Sequence, residues 1–90
     1  MFSLSQELKE RLAELRFKPK FRNIKNQIIY TTTNNKEVIN IRKLTRTFDV
    51  WFKENDNWKG FACPTFDEME ERVWNFLENK WVEPPFYNKE

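Results

Sequence analysis

The chain has no histidine, one cysteine and one glycine in 90 residues. Each scarcity excludes something. Without His, no side chain titrates unperturbed near neutrality, and nothing is on hand to activate Cys63 as a nucleophile. An acidic stretch follows that cysteine, the opposite of the electropositive setting a thiolate needs. A lone Cys makes no internal disulfide, and zinc would need several Cys or carboxylates at close spacing, which are lacking here. One glycine leaves no Gly-rich phosphate loop, so left-handed turns must fall to Asn. No apolar run approaches the roughly 18 residues of a membrane span. The opening Met-Phe-Ser-Leu-Ser-Gln-Glu lacks the basic start and apolar run of a signal peptide. The expectation is a soluble, cytoplasmic, non-enzymatic protein with no cofactor, no metal and no membrane partner.

What is present is aromatic and charged. Aromatic residues make up 17% of the chain, with nine Phe and four Trp, enough to build a dense core from few residues. Charged residues at 33% and hydrophobic ones at 39% give the balance of a folded chain rather than a disordered one. At this length there is room for one core, so residues 1–90 are read as a single α+β domain. Abundant Asn, Lys, Ile and Phe with little Ala or Gly point to an AT-rich coding sequence, as in many phages and mobile elements.

The organising stretch is 27–53, a β-meander. Runs of β-branched and aromatic residues are bounded there by Asn, Thr and Asp. A turn at Asn34-Asn35 sets Thr33 against Lys36, Tyr30 against Ile39 and Ile28 against Ile41. A second turn at Thr45-Arg46 sets Ile41 against Val50 and Ile39 against Phe52. Both hairpins then agree on one apolar face of Ile28, Tyr30, Ile39, Ile41, Val50 and Phe52, with Phe48 at its end. A slip of one residue would put Ile39 and Ile41 in water, so the pattern selects the register. The opposite face carries Ile29, Thr31, Val38, Asn40, Arg42, Asp49, Trp51 and Lys53, with Arg42 across from Asp49.

Around the meander, residues 3–16 read as a helix with a Leu4, Leu8, Leu12 and Leu15 stripe, a Ser3–Gln6 capping box and a Glu7–Arg11 pair. Pro19 then stops it, and residues 17–26 form a basic linker that tucks Phe17 and Phe21 inward. Glu54 to Asn57 is a turn. Residues 58–62 are either a fourth strand or return chain, with Gly60 and Pro64 arguing against the strand. Thr65-Phe-Asp-Glu68 is a capping box opening a helix over 66–80, whose stripe is Phe66, Met69, Val73, Phe76 and Leu77. The tail, 81–90, carries Pro84-Pro85-Phe86-Tyr87. Pro84, Pro85 and Tyr87 fit the Pro-Pro-x-Tyr ligand pattern of WW domains, which take a preformed polyproline helix. The expected architecture is a three- to four-stranded antiparallel meander flanked by an N-terminal and a C-terminal helix.

Charge is unevenly spread. From Arg16 to Lys53 there are ten Lys and Arg against two acids, +8 in all; from Glu54 to Glu90 nine acids face four bases, −5. The order helix, three antiparallel strands, helix resembles the double-stranded-RNA-binding domain in topology. That resemblance implies lysines at the start of the second helix, straddling phosphates. Asp67, Glu68, Glu70 and Glu71 stand there instead and would repel them.

Two binding functions follow as expectations. One is an accessory protein that engages a larger protein, or a second copy of itself, through Ile29, Val38, Arg42, Trp51, Lys53 and Trp58. The other is nucleic-acid binding through Lys18, Lys20, Arg22, Arg42, Lys43, Arg46 and Lys53, with Trp51 as a stacking platform.

Overall fold

The computed structural model describes residues 2–20 and 25–79. The elements run α1 (Gln6–Glu14), β1 (Lys18–Pro19), β2 (Gln27–Thr31), β3 (Glu37–Lys43), β4 (Phe48–Glu54), β5 (Asn57–Cys63) and α2 (Phe66–Asn79). The five strands form one antiparallel sheet in the order β1-β2-β3-β4-β5. The meander thus has two strands more than the three that alternation marks clearly. Linker residues Lys18 and Pro19 pair with Thr31 and Tyr30, and the ambiguous 58–62 segment lies wholly within β5.

The register expected from alternation holds throughout. Ile28 pairs with Ile41 and Tyr30 with Ile39, and Ile41 pairs with Val50 and Ile39 with Phe52. The second turn is the expected Thr45-Arg46, closed by the Leu44 amide donating to the Thr47 carbonyl at 2.8 Å. The first turn is longer than two residues. Thr32 and Glu37 close it through a 3.0 Å bond, and Thr33–Asn35 form a short 3-10 turn. Asn34 and Asn35 hold φ of 66° and 55°, the left-handed conformation that Asn tolerates better than most residues. Two residues are added to the loop symmetrically, so the register is unchanged.

One core joins the inner sheet face to both helices. It contains Leu4, Leu8 and Leu12, then Phe17, then Tyr30, Ile39, Ile41, Val50, Phe52 and Cys63, and finally Met69, Val73 and Leu77 of α2. Phe52 stacks on Phe76 with centroids 4.4 Å apart, and Phe48 meets both Phe2 and Phe66 edge-on. Phe17 is buried as the sequence suggests; Phe21 lies outside the described residues.

The ends of α1 differ from their sequence signals. The N-cap is Ser5, whose side chain accepts the Leu8 amide at 3.3 Å, and not Ser3. The third helical position is therefore Leu8, which has no carboxylate to return to the cap. Glu70 of α2 supplies it: the Ser5 amide donates to Glu70 Oε2 at 2.6 Å. Leu4 sits outside the helix yet is buried. Arg11 pairs with Glu14 at 3.0 Å rather than with Glu7. At the other end Pro19 is not the stop. Arg16 adopts φ 70°, the Phe17 amide reaches the Leu12 carbonyl and the Arg16 amide the Ala13 carbonyl. This is a Schellman closure, with Leu12 and Phe17 both in the core as its apolar contact. With glycine so scarce, an Arg occupies the left-handed position.

At the start of α2 half of the expected capping box is formed. Thr65 Oγ1 accepts the Glu68 amide at 3.1 Å, while the Glu68 carboxylate takes the Thr65 hydroxyl at 3.4 Å in place of the reciprocal bond to the Thr65 backbone amide.

Candidate functional site

Strand pairing places the outer-face side chains in rows. Gln27, Arg42, Asp49 and Ala62 form one; Ile29, Asn40, Trp51 and Gly60 the next; Thr31, Val38, Lys53 and Trp58 the third. Lys18 extends the last row from β1. All six residues of the expected protein-binding set, Ile29, Val38, Arg42, Trp51, Lys53 and Trp58, thus share this face.

They are not equally available. Trp51 and Trp58 are 40% and 50% exposed, the two most open large aromatic side chains among the described residues. Val38 and Lys53 are half-buried and Arg42 is exposed. Ile29 is the correction: at 8% exposure it is an interior residue, although it stands apart from the main core cluster. Alternation assigned it to the outer face and hence to water, without the strand beyond it. β1 pairs along that side, and the Lys20 amide donates to the Ile29 carbonyl at 2.8 Å.

Fixed polar contacts give the face its shape. Arg42 Nη2 donates to Asp49 Oδ2 at 3.0 Å, the cross-strand pair anticipated from register. Gln27 Nε2 donates to Asn40 Oδ1 at 2.8 Å, and Lys53 Nζ to the Asn35 carbonyl at 3.4 Å.

Gly60 explains the pose of Trp51. A Cβ placed on Gly60 would meet the six-membered ring of Trp51 at 2.6 Å. The indole therefore lies flat across the glycine from the neighbouring strand and covers backbone that a side chain would otherwise shield. Gly60 does not break the strand; it makes room on it. The sequence signal was available, an isolated Gly amid the alternating Asn57-Trp-Lys-Gly-Phe-Ala-Cys63, but only the β4–β5 register says which aromatic fills the gap.

The cations of the nucleic-acid reading are more scattered. Lys18, Arg42 and Lys53 lie on the outer face, Lys43 and Arg46 lie at the β3–β4 turn, and Lys20 follows β1. Arg22 lies outside the described residues, as do Pro84, Pro85 and Tyr87 of the tail motif.

On the opposite side of the molecule α1 and α2 carry acids. Glu7, Glu10, Arg11 and Glu14 line a shallow groove with Trp74. Cys63 is buried, and that burial pushes its thiol up, opposed in part by the nearby Arg72 guanidinium. Tyr30 is likewise raised by burial. No helix of the described residues is long and apolar enough to cross a membrane.

Comparisons with protein-family models, with curated proteins and with solved structures returned no match.

Proposed function

We propose that this protein is a non-enzymatic binding module that engages a larger protein through the outer face of its sheet. The observation that carries this reading is the pair of open indoles, Trp51 and Trp58, on adjacent strands beside Val38 and edged by Arg42 and Lys53. Aromatic groups rimmed by cations are what protein interfaces concentrate at their energetic centres. Among the described residues, neither indole belongs to the core cluster on the other side of the sheet.

The test is affinity capture from cells of the source organism with wild-type protein and with Trp51→Ala. An anchor residue contributes about 2 kcal/mol or more, so Trp51→Ala should weaken capture of the specific partner by roughly thirtyfold while the fold persists. Equal capture by both proteins would remove the face from consideration.

Nucleic-acid binding is the second reading, supported by segregation of charge between the basic 16–53 region and the acidic helix α2. It ranks lower because Arg42 and Lys53 already hold polar partners on the protein. Titration of labelled single-stranded and duplex DNA and RNA distinguishes the two. A phosphate binder should show an affinity that falls steeply with added salt, whereas the protein-binding reading expects no complex even at low salt.

A further inference from the structure

The sheet has two edges, and they are built differently. At β1 the strand is two residues long, and the Lys20 amide points inward to Ile29. Pro19 therefore faces outward, where its missing N–H leaves nothing to pair. That edge is blunted.

The β5 edge is seven residues long and carries no proline. Its hydrogen-bonding direction follows from the ladder. The Asn55 amide bonds the Lys36 carbonyl at 3.0 Å, so Asn55 faces β3, and the alternate residues Glu54, Phe52, Val50 and Phe48 face β5. Their partners are Asn57, Lys59, Phe61 and Cys63. Trp58, Gly60 and Ala62 thus turn their N–H and C=O groups away from the sheet. Among the described residues, no backbone bond from elsewhere in the chain reaches these three. The next outward position is Pro64, which has no N–H, so the open segment has a defined end. Sheet proteins normally protect such a row, because it is a template for another strand.

We infer that β5 pairs antiparallel with β5 of a second copy of this chain, about a two-fold axis at Gly60, extending the sheet across both copies. Shape selects the occupant. The outward series reads large, absent, small: Trp58, Gly60, Ala62. Reversed on itself about Gly60, it sets each Trp58 beside Ala62 of the second copy and the two glycines opposite one another. Each facing pair exchanges two backbone bonds. The Trp51 ring already lies across Gly60. Strands are spaced by about 4.8 Å, so two such rings can meet over the paired glycines and cover their open sides. An isologous contact of this kind closes and does not propagate into fibres. On the helix side, Lys59 would stand opposite Phe61 of the second copy, a ring that carries Arg72 at 4.3 Å. Two cations meet there, so apolar burial and backbone bonds, not charge, drive the association.

This goes beyond the proposed partner reading and can fail separately from it. Sedimentation equilibrium on the full chain at about 100 μM, far above a micromolar dissociation constant, should return a dimer. Ala62→Pro removes an outward N–H without touching the β4 ladder, so it should give a folded monomer by the same measurement and by circular dichroism. Hydrogen exchange supplies a readout that needs no variant: the amides of Trp58, Gly60 and Ala62 should be protected, and less so on dilution. A wild-type monomer at the highest concentration, a folded Ala62→Pro dimer, or protection of those amides independent of concentration would each overturn the pairing. The last would show that the chain covers its own edge. A monomer that still loses its partner on Trp51→Ala would sink the dimer and leave the outer-face reading standing.

Discussion

Cutting Ile41 back to Ala is expected to destabilise the protein by about 2–5 kcal/mol, the range for removing a buried branched side chain and leaving a void. Ile41 has no solvent exposure and sits on the middle strand. Ile28 is across from it on one side and Val50 on the other, and it shares one core with the helices. Nothing on the strand can move in without disturbing the ladder, so relaxation should recover little. A small domain holds about 5–15 kcal/mol in all, so the loss is a large share of it. In thermal unfolding each kcal/mol lowers the midpoint by about 4–8 °C for a chain of this size. Trp51→Ala is the control from the opposite face. It uncovers Gly60 and loses a cross-strand contact, at a cost of about 1 kcal/mol. If Trp51→Ala proved the more damaging of the two, the assignment of inner and outer faces would be wrong.

Glu70→Ala should cost about 2 kcal/mol, more than any exposed ion pair here. The Glu70 carboxylate accepts the Ser5 amide at 2.6 Å in a half-buried position. Charge-assisted bonds of this kind contribute roughly 1.5–3 kcal/mol, and truncation leaves the amide without that partner. The carboxylate also lies at the N-terminus of α1, where the helix dipole favours negative charge. One side chain therefore caps a helix and ties α1 to α2. Amide exchange at Ser5 to Leu8 should quicken in Glu70→Ala beyond what global destabilisation explains. Glu70→Gln keeps an acceptor and should recover part of the loss. By contrast, Arg11–Glu14 spans one turn on an exposed surface, where such pairs contribute about 0.3–0.5 kcal/mol.

The inner face was legible because period-two alternation in three consecutive strands leaves one register that keeps Ile39 and Ile41 dry. The Arg42–Asp49 pair followed from the same register. Helix α2 was legible because its start is marked by Thr65 and Glu68 and its apolar stripe recurs at helical spacing. Ser3 misled because Gln6 stands three residues on to complete a box, whereas Ser5 has only Leu8 there; the partner that completes the Ser5 cap is Glu70, 65 positions away, which local chemistry does not reveal. The C-terminal stop of α1 was misassigned because the usual left-handed residue is Gly, and here Arg16 fills the role. On the outer face of the sheet, Trp51 was placed by register, whereas Trp58 needed the β4–β5 pairing and Ile29 required knowledge of a strand only two residues long.

By itself the sequence determined what depends on neighbours along the chain: which segments alternate, where turns fall, which side of each strand is apolar, and how charge divides between the basic centre and the acidic C-terminal half. The tertiary structure decided what depends on residues far apart in the chain. Glu70 reaches Ser5 across 65 positions, the Trp51 ring lies on Gly60, and β1 closes beside Ile29. Backbone periodicity fixes a side chain's direction within a few residues. Which group it then meets depends on how sheet and helices are brought together, and packing alone settles that.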